Sequence, residues 1–264
     1  MKPPSDLFSR LRTSPLPLIV MVLWVLVLLS TPIVRDMFGP VAVVPMVNAG
    51  VLMQVAAGLA ALVHFRGWKW ALRVALPILP LAWLVEFIGS HTGFPFGRYS
   101  YTPVLQPQLG GVPLLIPFAW LMMLPPAWGV AALITGSDRS SARPRQARLL
   151  RALVAGLAFT AWDLFLDPQM VAWDLWRWAQ PGLYFGIPPV NFAGWFLASF
   201  LISLTAPDEL PARPLRLVYV VTWVLQAIGQ FYFWGQPGPA IAGFFGMGVF
   251  VAAAFFIPRS RRKT

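Results

Sequence analysis

The chain has 264 residues, of which 58% are hydrophobic and 11% charged, whereas a soluble domain carries about 25% charged residues. That balance excludes a water-soluble globule, because a chain of this length has no interior large enough for so much apolar surface. The absence of cysteine excludes disulfides, thiolate nucleophiles and sulfur metal ligands, and two histidines, His64 and His91, are too few for a zinc or di-iron centre. The net charge of +11 does not point to nucleic acid, because the basic residues sit in short clusters between apolar runs.

Apolar runs of membrane-crossing length predict an all-α, polytopic transmembrane helical bundle of about eight spans, near 15–34, 41–63, 72–90, 112–135, 149–167, 187–206, 215–234 and 239–257. The whole chain, 1–264, reads as one integral-membrane domain, with a polar linker near 136–148, "GSDRSSARPRQAR". The first run follows a basic segment, as a secretory signal would. The chain continues with "TPIVRD" and no small-x-small cleavage site, so the run is expected to stay as a span. Proline gathers at span ends, as in "TSPLP" and "GIPPV", where it suits a first helical turn. Of the 20 cationic residues, all but Arg35, Arg98 and Arg177 fall in the tails and the even-numbered loops. Both termini and the linker are therefore expected to be cytoplasmic. The expected location is the bacterial inner membrane.

Five of the nine acidic residues, Asp6, Asp36, Asp138, Asp208 and Glu209, lie in tails or loops. The others gather at the outer ends of spans. Glu86 ends span three, Asp163 and Asp167 end span five, and Asp174 follows in the outer loop. His91, Arg98, Tyr99 and Tyr101 lie in the loop after span three, Tyr184 lies in the loop before span six, and Asn191 opens span six from the same side. An ionisable residue inside a span costs about 2.5–3.5 kcal/mol at the bilayer centre and persists where it is paired or useful. Each has a structural alternative. Glu86 pairs with Arg98 or His91; Asp167 caps a short helix starting at Pro168; Asn191 caps span six. Asp163 is harder to explain away. It stands four residues before Asp167 on the same helix face, where two carboxyls in an apolar place cannot both ionise cheaply, and one is left as a proton donor.

"VAWDLWRWAQPGLYFG" (171–186) reads as an amphipathic helix at the outer interface with an aromatic belt. Trp83, Trp120, Trp162 and Trp195 fall within spans, as packing or as a π-rich cavity. "VPLLIPFAWLMM" (112–123) and "IPPVNFAGWFLAS" (187–199) look like copies, which predicts that spans three–four and five–six are related hairpins.

Four blocks, "EFIGSHTGFPFGRYSYT", "VPLLIPFAWLMM", "TAWDLFLDPQMV" and "YFGIPPVNFAGWFL", resemble the signature segments of the integral-membrane carotenoid biosynthesis proteins, which include carotenoid 1′,2′-hydratases. The resemblance is strong over about 80–200 and rests on hydropathy alone in the flanking spans. It implies addition of water to the terminal double bond of an acyclic ψ-end group of the lycopene or γ-carotene type. It implies no cofactor. The partners would be a lipid-soluble carotenoid, water and membrane lipid, and the oligomeric state stays open.

The residues themselves suggest how such a reaction would run. Protonating an isolated alkene needs an acid kept protonated in a dry site; Asp163 is the first choice and Glu86 the second. The tertiary cation suits aromatic faces, with Trp83, Trp162 and Tyr99 as candidates. Asp167 and Asn191 would orient water, and His91 and Arg98 would hold one carboxylate ionised. Tyr101, Asp174 and Tyr184 complete the expected substrate-binding set. Three rivals share some of these features. A cyclase begins with the same protonation. A prenyltransferase uses a D-x-x-x-D such as "DLFLD", but here a second Asp-rich motif is missing. A proton-coupled transporter would place polar residues through the full depth, not at one face.

Overall fold

The computed structural model describes residues 15–136 and 143–256. The basic tails, 1–14 and 257–264, and positions 137–142 of the predicted linker lie outside the described residues. The described chain is an all-α membrane bundle. Its helices are α1 (Leu16–Phe38), α2 (Val43–Arg66), α3 (Trp68–Ala75), α4 (Ile78–Thr92), α5 (Leu115–Thr135), α6 (Pro144–Ala172), α7 (Pro189–Ser203), α8 (Ala212–Ile228) and α9 (Pro237–Phe256). Four short strands interrupt them: β1 (Tyr99–Tyr101), β2 (Gln108–Leu109), β3 (Val112–Pro113) and β4 (Trp176–Trp178).

Six helical segments are long and apolar enough to cross a membrane, with α3 and α4 counted as one segment, Trp68–Thr92. Pro77 marks the break between α3 and α4, since it lacks the N–H that would continue the ladder. The other two predicted spans are shorter. α8 has 17 residues and is prolonged by a π-helical segment, Gly229–Phe233. α7 has 15 residues, so it is about 22 Å long, against a hydrocarbon core of about 30 Å. The sequence assigned 187–206 to that span, but the preceding backbone folds back on itself through bridges Gly182↔Gly186 and Tyr184↔Ile187. Non-helical backbone at such depth is tolerated where protein groups take its hydrogen bonds.

The most enclosed helix is α5, which packs against α2, α4, α6 and α8. The outermost is α1, whose main neighbour is α2 and whose leucines and isoleucines face outward. Exposed apolar side chains such as Leu18, Leu26, Leu201 and Phe245 cover the outer surface, as lipid contact requires. The basic residues gather at one end of the bundle. There Arg66 is paired with Glu209, and Arg151 Nη1 donates to the Asp208 carbonyl at 3.3 Å. The loops that carry the strands lie at the other end, together with Arg35, which donates to the Phe233 carbonyl at 3.0 Å and sits over Trp234.

β1 and β4 pair antiparallel, Tyr99 with Trp178 and Tyr101 with Trp176. The predicted interfacial helix over 171–186 is therefore corrected. α6 runs on to Ala172, and the "WRW" that follows is a strand. Nor does Asp167 cap a new helix, because α6 passes straight through Pro168. Gly93, at φ 83°, ends α4 in a left-handed cap and turns the chain into the loop that carries β1. Gly194 lets α7 touch that loop, since a Cβ there would stand 2.6 Å from the Pro95 carbonyl oxygen. The tryptophans at the ninth position of the two look-alike blocks, Trp120 and Trp195, stack at 5.0 Å with 12° between their planes.

Candidate active site

Four polar residues from three helices are nearly shut off from solvent: Glu86 on α4, Asp163 and Asp167 on α6, and Asn191 on α7, each 3% exposed or less. Side chains in a strand alternate between faces, so Tyr99 and Tyr101 point inward from β1 while Ser100 is exposed. Both phenols reach Glu86 Oε2, Tyr99 at 2.5 Å and Tyr101 at 2.8 Å, and Trp120 Nε1 donates to Oε1 at 2.9 Å. Donors therefore meet both oxygens, an arrangement that fits an ionised, acceptor-only carboxylate. Burial first, and then the Glu86 charge, push the Tyr99 and Tyr101 phenols up from their ordinary value, so both remain protonated donors.

The second cluster mirrors the first. Trp176, on the partner strand, donates Nε1 to Asp167 Oδ1 at 3.0 Å. Asn191 Nδ2 donates to Asp163 Oδ2 at 2.8 Å and also to Asp167 Oδ2. One amide thus clips together two carboxyls one helical turn apart. Asp163 Oδ1 meets no hydrogen-bond partner, which suits a neutral carboxyl better than a buried carboxylate needing donors on both oxygens. The β1–β4 ribbon is the element that joins the two clusters, with Tyr99 and Tyr101 on Glu86 and Trp176 on Asp167.

Both clusters stand at an open-sided cavity of about 320 Å³. Glu86, Asp167, Asn191 and the inward aromatics of the ribbon form its polar end. From there it continues between α1, α2 and α8 along mostly apolar side chains, among them Pro32, Val47 and Leu225, with Thr31, Gln54, Thr222 and Gln226 in the same walls. Trp120, Trp162 and Trp195 line it as well, and Phe159 packs beneath them, 4.9 Å from Trp120 and 5.3 Å from Trp195.

The remaining predicted residues stand elsewhere. His91 and Arg98 are exposed beside Arg177 in a shallow depression outside the cavity. His91 Nδ1 lies 2.8 Å from the Phe87 carbonyl oxygen, so the expected Glu86 pairing with His91 or Arg98 is replaced by the tyrosines and Trp120. Alternation explains Arg98, since it is two residues before the exposed Ser100. Asp174 is outside too, held by Arg177 through contacts of 2.5 and 2.6 Å, and the guanidinium keeps its carboxyl below the ordinary value. Trp83 stacks on Phe87 and donates to the Leu109 carbonyl at 3.2 Å, tying down the loop that carries β2. Asp163 lies just behind the wall, which Asp167 and Asn191 form.

Tyr184 has a different task. Pro168 lacks an N–H, so the Leu164 carbonyl one turn earlier loses its helical partner, and the Tyr184 hydroxyl donates to it at 2.9 Å. Tyr184→Phe is expected to lower stability by about 1–3 kcal/mol, the cost of an unpaired buried carbonyl, while activity survives. Thermal unfolding in detergent beside an activity assay checks this; unchanged stability would contradict it.

Trp176 and Trp178 were read from sequence as membrane anchors and not as site residues, whereas Trp120 and Trp195 were read as packing or a π-rich cavity and do line the cavity. A readable signal was present in the twin period-two aromatics, "YSY" at 99–101 and "WRW" at 176–178.

The sequence pattern of the family described as "Carotenoid biosynthesis protein" matches residues 38–257. The chain belongs to that family. It is also similar to the bisanhydrobacterioruberin hydratase of Haloarcula japonica, with 33% identity over 121 residues. That alignment takes in 46% of this chain and 39% of the relative's length. No solved structure matches the chain.

Proposed function

We propose that the protein is a carotenoid 1′,2′-hydratase acting on an acyclic ψ-end group of the lycopene or γ-carotene type. The observation that carries this reading is an acid pair and a separate carboxylate meeting at one end of a mostly apolar cavity, in a chain of the carotenoid biosynthesis family. The similarity to a hydratase supports the reaction class. The polyene would lie in the apolar arm between α1, α2 and α8, with its isopropylidene end between Asp167 and Glu86.

Asp167, on the wall, delivers a proton to C2′, and Asp163 behind it restores that proton through their contact. The tertiary cation at C1′ then faces the rings of Trp120, Trp162 and Trp195 and the Glu86 carboxylate. Aromatic faces contribute about 0.5–2 kcal/mol each, and the fixed carboxylate adds a charge of the right sign in a water-poor site. Water bonds to C1′ and gives up a proton, which restores the acid pair. Substrate and product differ by one water, so the residues finish as they began. The basic clusters at the opposite end of the bundle support a site toward the extracytoplasmic side of a bacterial inner membrane.

Expression in cells that make lycopene, followed by pigment mass analysis, tests the proposal. A gain of one water per modified end group is expected. An unchanged mass with altered absorption would mean cyclisation instead, and unchanged pigment would refute both.

A further inference from the structure

The hydration reading leaves unused two buried glutamines, Gln169 and Gln230, and the half-buried Gln236 that joins them. Gln169 follows Asp167 by two residues, is 4% exposed and lines the cavity. Gln230 lies in the π-helical segment after α8 and is fully buried. Gln236 is half-buried, just before α9, at the loop end of the bundle. The three form a ladder. Gln230 Nε2 donates to Gln169 Oε1 at 3.0 Å and to the Phe165 carbonyl at 2.6 Å. Gln236 Nε2 donates to the Pro168 carbonyl at 3.2 Å, and its backbone N–H donates to the Gln230 carbonyl at 2.9 Å. The rungs therefore rest on the α6 turn that carries Asp167.

The amides cannot be turned round without setting carbonyl against carbonyl at Phe165 and Pro168. In that fixed orientation Gln230 Oε1 and Gln236 Oε1 are buried acceptors without a protein donor. An acceptor in that position costs about 1–3 kcal/mol unless something donates to it. Between packed helices the donor of suitable size is water, which binds where otherwise unsatisfied polar groups converge. The π turn adds a second sign, because such turns occur mostly where a helix is distorted for function.

We infer that the ladder Gln236–Gln230–Gln169 conducts the nucleophilic water from the loop face to the Asp167 side of the cavity. The inference rests on the hydratase reading and adds a route and its residues. The route admits water beside the acid pair, apart from the arm that the polyene occupies.

The reaction run in deuterated water separates water delivery from proton transfer. Protonation by deuterium at C2′ gives the cation. Capture by water yields the alcohol; loss of a proton from C2′ returns an alkene that retains deuterium. Purified wild type and the variants Gln230→Leu and Gln236→Leu are incubated with lycopene, and alcohol and deuterated alkene are measured by mass. Both variants are expected to raise the ratio of deuterated alkene to alcohol several-fold. Gln236→Leu, at the half-buried end, decides the matter if Gln230→Leu does not accumulate in the membrane. Alcohol and exchange falling together, or an unchanged ratio, would overturn the route while leaving the hydratase reading in place. A wild type that forms neither product overturns the hydratase reading, and the route with it.

Discussion

Asp167→Asn is expected to reduce hydration by about 10²–10⁴-fold, the range over which a positioned acid contributes, with the protein still present in the membrane. Asparagine keeps the shape of the side chain and can still accept from Trp176 Nε1. It has no proton to give to the alkene. Its amide also meets Asn191 Nδ2, donor against donor, so a stability loss of about 1–3 kcal/mol accompanies the lost turnover. Asp163→Asn should fall less far, because Asp163 lies behind the wall and acts through Asp167. Product formation per unit of protein in membranes, compared for the two variants, measures this. Asp167→Asn near wild-type rate with Asp163→Asn inactive would move proton delivery to Asp163.

Glu86→Gln is expected to reduce hydration by about 10²–10³-fold, as for other fixed groups that stabilise charge developing in a transition state. The fold should tolerate the change. Trp120 Nε1 can only donate, so the new amide must turn its oxygen to Trp120 and its NH₂ to Tyr99 and Tyr101, whose hydroxyls can rotate to accept. Three hydrogen bonds survive, the two to the tyrosines in reversed sense, while the negative charge facing the cation disappears. Glu86→Asp keeps the charge, one methylene further back, and should fall between the two. Turnover that follows protein amount alone would show that Glu86 merely closes the ribbon onto α4.

Much of this arrangement was legible in the residues. Length and hydropathy gave the bundle, and cationic clusters separated its two ends. The placement of Glu86, Asp163, Asp167 and Asn191 at one face follows from span counting alone, because two crossings, spans four and five, separate the outer end of span three from the outer end of span five, and span six starts from that same side. What sequence reading missed depends on contacts between distant segments. β1 and β4 have three residues each and pair across a separation of more than 70 positions, as Tyr99 and Trp178 do. So short a period-two pattern in "WDLWRW" is equally readable as one face of a helix. That ambiguity misplaced Trp176 at the lipid interface and left Asp167 without its main donor. Arg98 and His91 are adjacent to Glu86 in sequence and carry the complementary charge, yet strand alternation and the cap at Gly93 turn them outward. Tyr184 was read as a substrate contact, although the proline at 168 leaves the Leu164 carbonyl needing a donor.

The most direct measurement is a structure of the protein with an acyclic carotenoid bound, using Asp167→Asn to prevent turnover. The expected result is a polyene running between α1, α2 and α8, with its terminal alkene within about 3.5 Å of residue 167, the distance of a reactive pose, and its end carbons over Trp120 and Trp195. A polyene held on the outer helix faces, or one whose end group rests in the depression beside His91 and Arg98, would contradict it.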